Sequence, residues 1–410
     1  MPIQVFPTPS AGASYSSQPP ASASSVLLDG QLVTASSYST SVTGTGAPWL
    51  LYANGAGTTT ITIAGTAYTV TAGSTVGTSA YTGSQSVTVA APFGGVPSTF
   101  TSSTISSSNY WSSIAYGNGY FVAVQNTGGS SAAAYSTNGT SWTASTMPTT
   151  SGKTGVCYGN GYFVVVGTGS AGAYSTNGTT WTASTLSSTG AGGYGFQSVA
   201  YGLIGATNYY VAVGNNVTTG TIGSYSTNGT SWTASTMPTS TYWGAVTFGN
   251  GYFVAVSGGS SAAAYSTNGT TWTASTMTLS SSYYSIAYGN GTYVAPSAST
   301  ATGNYSTNGT SWSAMTMPNN LSWQAIAYGG GYFVAVNAAA TTGTSMAYSP
   351  NGTSWTLGTM PSSSAGWFAM GYGNGYFVTA AAGSSTAAYF AQTAVLPVAY
   401  GIYNGATVRA

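Results

Sequence analysis

Side chains able to do acid–base, nucleophilic or metal chemistry are almost absent from this chain. Among 410 residues the only charged side chains are Asp29, Lys153 and Arg409, and there is no Glu and no His. Glycoside hydrolysis ordinarily needs two carboxylates. Imidazole acid–base catalysis needs a histidine. Zinc and calcium sites draw on several His, Cys, Asp or Glu ligands, so at most backbone carbonyls could hold a weak cation. Two basic residues cannot form a phosphate-binding track. The composition therefore points to a protein that is not an enzyme, uses no cofactor and binds no nucleic acid. Cys157 is the only cysteine, which rules out an intrachain disulfide and suggests a small buried apolar side chain.

Aromatic rings flanked by Ser, Thr and Asn offer a chemistry that needs no charge, since they can stack on a sugar while the neighbours bond its hydroxyls. Candidates lie just before, or at the start of, the first apolar run in each copy of a repeat: Tyr110, Trp111, Tyr194, Tyr242, Trp243, Tyr283, Trp323 and Trp367, with Phe196, Tyr284 and Phe368 adjacent. The competing reading is that these rings fill the interior between repeats.

The repeat that must position them is explicit. Tyr135 to Thr143 reads YSTNGTSWT, and the phrase recurs with Trp at 142, 181, 232, 272, 312 and 355. A second phrase precedes each copy: an aromatic, usually Gly-Asn-Gly, then a run like Tyr-Phe-Val-Ala-Val. Its leading aromatics are Tyr116, Tyr158, Tyr201, Phe248, Tyr288, Tyr328 and Tyr372. One copy divides into four short runs: Ser113 to Tyr116, Tyr120 to Val124, Ala133 to Ser136 and Trp142 to Ser145. Asn-Gly between alternating runs signals a hairpin whose two central residues take φ > 0. Four antiparallel strands at this period make a propeller blade. The turns after the first and third runs share one face, and the variable connections share the other, where binding usually resides.

Seven leading phrases but only six trailing ones occur. Thr99 to Thr104 aligns with Trp142 to Thr146, with Phe100 in place of Trp. The expectation is an all-β, seven-bladed propeller over residues 94–390, closed by an N-terminal strand through Phe100. An extended Pro/Ser-rich arm (1–25) and a small β-domain (26–93) precede it, and a tail (391–410) follows. In the small domain, Ser25 to Thr34, Thr58 to Ile63, Ala67 to Thr71 and Gln85 to Ala90 read as short strands. The arm can drape over a neighbouring subunit, which leaves homo-oligomerisation open. Met1 to Gln4 lacks a basic signal-peptide start, and no apolar run approaches the roughly 18 residues of a membrane helix. The expectation is synthesis in a cytoplasm without membrane insertion.

The trailing phrases resemble the Asp-box, or BNR repeat, of β-propeller proteins. They are one residue shorter and have Asn for Asp at Asn138, Asn177, Asn228, Asn268, Asn308 and Asn351. The paired tryptophans are Trp142, Trp181, Trp232, Trp272, Trp312 and Trp355. The resemblance implies a structural hairpin: Ser and Asn hold the turn, and Trp packs between blades. Asp-box propellers include sialidases, whose arginine cluster is missing here. The shorter form and the Tyr-Gly-Asn-Gly-Tyr-Phe phrase are similar to repeats of bacteriophage virion and tail-associated proteins. That implies a structural or decorating protein located in a virion. Its N-terminal region would bind other virion proteins, and its propeller would face outward toward host surface glycans. A soluble lectin-like propeller and a bacterial surface filament subunit are the alternatives.

Overall fold

The computed structural model describes residues 96–187, 195–215, 222–338, 343–363 and 365–392. It also describes the backbone of strands Tyr38–Ala53, Thr58–Ile63, Thr66–Thr71, Thr75–Ala90 and Tyr400–Asn404. Asp29, Arg409, Tyr194, the arm and the expected strand at Ser25 to Thr34 lie outside these residues. The chain divides into two compact units. One joins Met1–Gly95 with Gln392–Ala410, and the other is Val96–Ala391.

In the first unit, five strands form one antiparallel sheet. Their order is Thr66–Thr71, Thr58–Ile63, Thr75–Ala90, Tyr38–Ala53, Tyr400–Asn404. The threonine-rich runs pair as a hairpin with Ile63 opposite Thr66, as β-branched alternation around Gly65 dictates. The tail supplies the edge strand, with Trp49 to Ala53 pairing with Asn404 to Tyr400.

The second unit is a β-propeller, and the expected blade count is corrected here. There are six sheets, not seven: five of four strands and one of six. The reason is hydrogen-bond continuity. Tyr376–Ala391 and Thr101–Gly117 each run on past the length of one repeat strand. Between the second and third strands of the last copy, Gly383 turns the chain at φ 73. There Ala382 pairs with Tyr110 and Ser384 with Asn109, on the connection into the first copy. Pairing thus passes, through two register shifts, from the last repeat into the first, and two would-be blades become one six-stranded sheet.

Thr101 to Thr104 pairs with Tyr389 to Thr386 in the register that Thr143 to Thr146 uses against Tyr135 to Ala132. Phe100 packs with Met346, Met360, Trp367 and Phe377, and its N–H donates to the Thr359 carbonyl at 2.9 Å. Ile105 packs with Trp111, Val378 and Ala387.

Each innermost strand ends on a glycine covered by the next strand's leading aromatic, except that Gly195–Ile204 runs two residues past its Gly202. A Cβ on Gly117 would lie 2.0 Å from the Tyr158 ring. The same contact joins Gly159 to Tyr201, Gly202 to Phe248, Gly249 to Tyr288, Gly289 to Tyr328 and Gly329 to Tyr372. Gly373 meets Tyr116 and completes the circle. Seven innermost strands, carried on six sheets, therefore surround the axis. The second strands, such as Tyr120–Gln125 and Tyr252–Ser257, are buried along nearly their whole length because each is covered on both faces.

The two kinds of Asn-Gly turn differ. In the tight turns after the innermost strands both residues are left-handed, with Asn118 at φ 46 and Gly119 at φ 82. In the Asp-box-like turns only glycine is, with Gly139 at φ 71. The expectation of two positive φ angles holds for the first kind alone. In the second kind the asparagine is an acceptor. Asn138 Oδ1 receives the N–H groups of Thr140 and Ser141 at 3.0 and 2.9 Å and the Ser136 hydroxyl at 3.0 Å. Asn177, Asn228, Asn268, Asn308 and Asn351 do the same. The tryptophans that follow pack against residues of the preceding copy, Trp142 beside Val378 and Trp312 beside Val254.

Candidate functional site

Six of the seven innermost strands carry a one-residue bulge ahead of their repeat run; the seventh, Ala287–Gly289, pairs without one. Trp111 pairs with Gln125 and Ser113 with Val124, which leaves Ser112 between them. The same shift occurs at Thr154, Gln197, Gly244, Gln324 and Phe368. A bulge re-aims side chains. Here the residue before the bulge turns into the core and the bulged residue faces the axis. Ser112, Thr154, Gln197, Tyr284, Gln324 and Phe368 line the mouth of an axial cavity of about 110 Å³.

Five of the candidate aromatics are placed out of ligand reach, four of them at the position before a bulge. Trp111, Trp243, Tyr283 and Trp323 are completely buried, and Trp367 is 1% exposed. They anchor the strands from inside. Trp111 Nε1 donates to the Ser107 carbonyl at 3.0 Å, Trp243 Nε1 to Thr239 at 3.3 Å and the Tyr283 hydroxyl to Leu279 at 2.9 Å. Each acceptor lies four residues earlier in the chain. Lys153 occupies the same position, pairing with Gly167 ahead of the bulge. Its Nζ donates to the Thr149 carbonyl, again four residues earlier, and to Ser130 at 3.2 Å. The protein's one lysine thus stands in for an indole N–H, and burial lowers its pKa to about 8. Sequence reasoning missed this role, although Gly152-Lys153 falls in the repeat where Tyr110-Trp111 does.

Two candidates, Tyr110 and Tyr242, lie beside the cavity-lining rings of Phe368 and Tyr284. Tyr110 is 38% exposed and Tyr284 39%, while Tyr242 and Phe368 are half-buried. The Tyr110 and Phe368 rings meet tilted at 58° with centres 5.1 Å apart, and those of Tyr242 and Tyr284 meet edge to face with centres 6.1 Å apart. The first pair joins the first and last copies and the second joins the fourth and fifth. The Tyr242 hydroxyl donates to Gln197 Oε1 at 3.2 Å. Its ring lies on Gly258, where a Cβ would come within 2.1 Å. Burial, with smaller contributions from Tyr284 and Tyr110, pushes the Tyr242 phenol up to about 12. Burial, then Tyr284, also raises that of Tyr110. Both are neutral hydroxyls at physiological pH. The Ser112 hydroxyl donates to the Lys153 carbonyl at 2.6 Å and that of Thr154 to Phe196 at 2.6 Å, tying successive innermost strands together.

Among the described residues no cluster of three or more His, Cys, Asp or Glu occurs. Desolvation holds the Cys157 thiol above its ordinary range, where it is a poor nucleophile.

No protein-family model matches the chain, and no curated protein matches it in sequence. Solved structures do match. The chain is similar to a streptogramin B lyase structure, with TM-score 0.60 and 13% identity over 71% of this chain and 97% of that one. It is similar to a selenomethionine-substituted virginiamycin B lyase from Staphylococcus aureus, with TM-score 0.59 and 13% identity over 71% and 98%. It is also similar to YCF48 bound to D1 peptide, with TM-score 0.54 and 13% identity over 71% and 94%. The shared feature is the fold. The chain is a β-propeller repeat protein. Identity this low carries neither reaction nor partner across.

Proposed function

We propose that this propeller is a non-catalytic binding module whose axial mouth holds an uncharged, hydroxyl-rich ligand of the carbohydrate class. One observation carries the reading: Tyr284 and Phe368 line an axial cavity together with Gln197 and Gln324, and each is paired with a further ring, Tyr242 and Tyr110 respectively. Exposed rings give stacking area, amides and phenols give hydrogen bonds, and no charge is needed. Among the similar structures is a virginiamycin B lyase made catalytically inactive by replacing one histidine. This chain has no histidine, so the likeness gives no support to the same chemistry here. The test is a glycan array probed with the full-length protein and with Tyr110→Ala/Tyr284→Ala. Binding that the double variant loses supports the reading, whereas binding that it keeps sinks it.

The setting we propose is display on a virus particle, attached through residues 1–93. The support is the likeness of the repeats to those of phage virion proteins and a chain with almost no charge. Particles lacking this protein should take up the full-length chain in molar salt as well as in dilute buffer, because almost no ion pairs are available to screen. Release by molar salt, or failure to bind at all, would end that reading.

A further inference from the structure

In the Asp-box-like turns the asparagine side chain serves as an acceptor. Asn138 Oδ1 takes two backbone N–H groups and the Ser136 hydroxyl, and an aspartate carboxylate would accept the same three bonds. Those donors fix which end of the amide is oxygen, so Nδ2 is the end the turn leaves over. The Nδ2 groups of Asn138, Asn228, Asn308 and Asn351 have no partner among the described residues. Those of Asn177 and Asn268 meet only a threonine hydroxyl of their own turn, at 3.0 and 2.8 Å. Asn268 is half-buried, and the other five asparagines are exposed. Threonine stands two residues after the asparagine in all six copies, although the next position varies between Ser and Thr. Each phrase is thus an Asn-x-Thr sequon, and its threonine is only half-buried in every copy.

We propose that these six asparagines are sites of N-glycosylation, whose sugars stand on the turn face of the propeller, away from the axial mouth. In the step itself a bond forms between Nδ2 and the anomeric carbon of an activated sugar. The bond from that carbon to its phosphate leaving group breaks, and the phosphate departs with the electron pair. Nδ2 gives up one proton to the transferring enzyme. The donor is a nucleotide-linked or a lipid-linked sugar, and both present the same glycosyl phosphate. The product suits the fold because Oδ1 is untouched: a secondary amide keeps its carbonyl and the three bonds that carbonyl accepts. Glycosylation is solubilising, and a chain with three charged side chains gains hydration from it without charge. The folded structure also separates sequons that sequence alone cannot. Asn290-Gly291-Thr292 lies in a tight turn, and its threonine is 9% exposed. In Asn304-Tyr305-Ser306 the asparagine is completely buried, and its Nδ2 donates to the Tyr283 hydroxyl at 2.7 Å. Those two are closed, while the six in the Asp-box-like turns are open.

The test uses the full-length protein, made in a host without N-glycosylation and folded before treatment. One portion receives a soluble sequon-specific N-glycosyltransferase with a nucleotide sugar. A second receives a membrane oligosaccharyltransferase with a lipid-linked donor. One lysine and one arginine give trypsin almost nothing to cut, so chymotryptic peptides are mapped by mass. The expected result is sugar on the six Asp-box-like asparagines in at least one arm, with Asn290 and Asn304 bare. The modified protein should melt no lower than the untreated one, and the arm that succeeds identifies the donor. Six bare asparagines in both arms, beside a modified control Asn-Gly-Thr peptide, overturn the inference. Equal occupancy of Asn290 and Asn304 overturns it too, because the sequon rather than the turn would then select the site. So does a modified protein that melts lower, since the turns would then have lost bonds.

Discussion

Cutting one side chain from the strand that joins the two ends of the propeller tests whether that strand belongs to the core. Phe100 is 4% exposed and sits among Met346, Met360, Trp367 and Phe377, with its ring 6.1 Å from that of Phe390. Phe100→Ala removes a buried ring and leaves a cavity whose walls are bulky side chains fixed in strands, so collapse is limited. Losses for this change run at about 3–5 kcal/mol. A unit of this size shifts by roughly 2–4 °C per kcal/mol, which gives a fall on the order of 10 °C. Ile105→Ala, at 1% exposure in a different cluster, should cost about 2–5 kcal/mol. Thr101→Ala, exposed on the same strand, should leave stability within about 0.5 kcal/mol. Scanning calorimetry of the full-length variants reads all three. If Phe100→Ala melts within about a degree of the parent, the segment 99–105 is not part of the closed core, and the account of how the ends join is wrong.

Three further outcomes follow from the geometry. Gly373→Ala places a methyl 2.0 Å from the Tyr116 ring and should lower stability by about 1–3 kcal/mol through overpacking; an unchanged denaturation midpoint would contradict the aromatic circle. Asn138→Ala removes the acceptor of two backbone N–H groups at an exposed turn and should lower stability by about 0.5–1.5 kcal/mol, with ligand binding at the opposite face unchanged on the array. Burial lowers the Lys153 pKa to about 8, so between pH 8 and the ordinary lysine range the unfolded chain holds more protons and stability climbs with pH. The buried tyrosines, raised in pKa as Tyr242 and Tyr372 are, oppose this above about pH 10, where the unfolded phenols ionise first. A urea midpoint rising from pH 8 and then falling, with the rise abolished in Lys153→Met, is the expected pattern; a flat profile in the native protein refutes it.

Much of the fold was legible because each repeat spells its own strands and turns. The Tyr-Phe-Val-Ala-Val runs and the Asn-Gly pairs mark the second strands and the hairpins directly. Strand Tyr38–Ala53 was not legible, since Gly44, Gly46 and Pro48 interrupt its pattern. The number of sheets was not legible either. It depends on whether hydrogen bonding crosses the short link at Gly383 to Ser385, and no residue type encodes that. The site was half legible. Sequence places aromatics at the right end of the innermost strands but does not say which neighbour faces the axis. With a side-chain period of two, a one-residue bulge reverses the answer. Beside the bulge at Ser112, Trp111 is buried while Tyr110 is exposed. Lys153 was missed for the same reason: its role comes from the position, which elsewhere holds Trp, Phe or Tyr.

The central claim is that the ligand sits on the axis beside the two aromatic pairs. The most direct measurement is a crystal structure of the full-length protein soaked with whichever array saccharide binds best. The account predicts saccharide density in the axial cavity against Tyr284 and Phe368, beside the rings of Tyr242 and Tyr110 that pair with them. Density on the Asn-Gly turn face or along the outer strands, with an empty mouth, would contradict it.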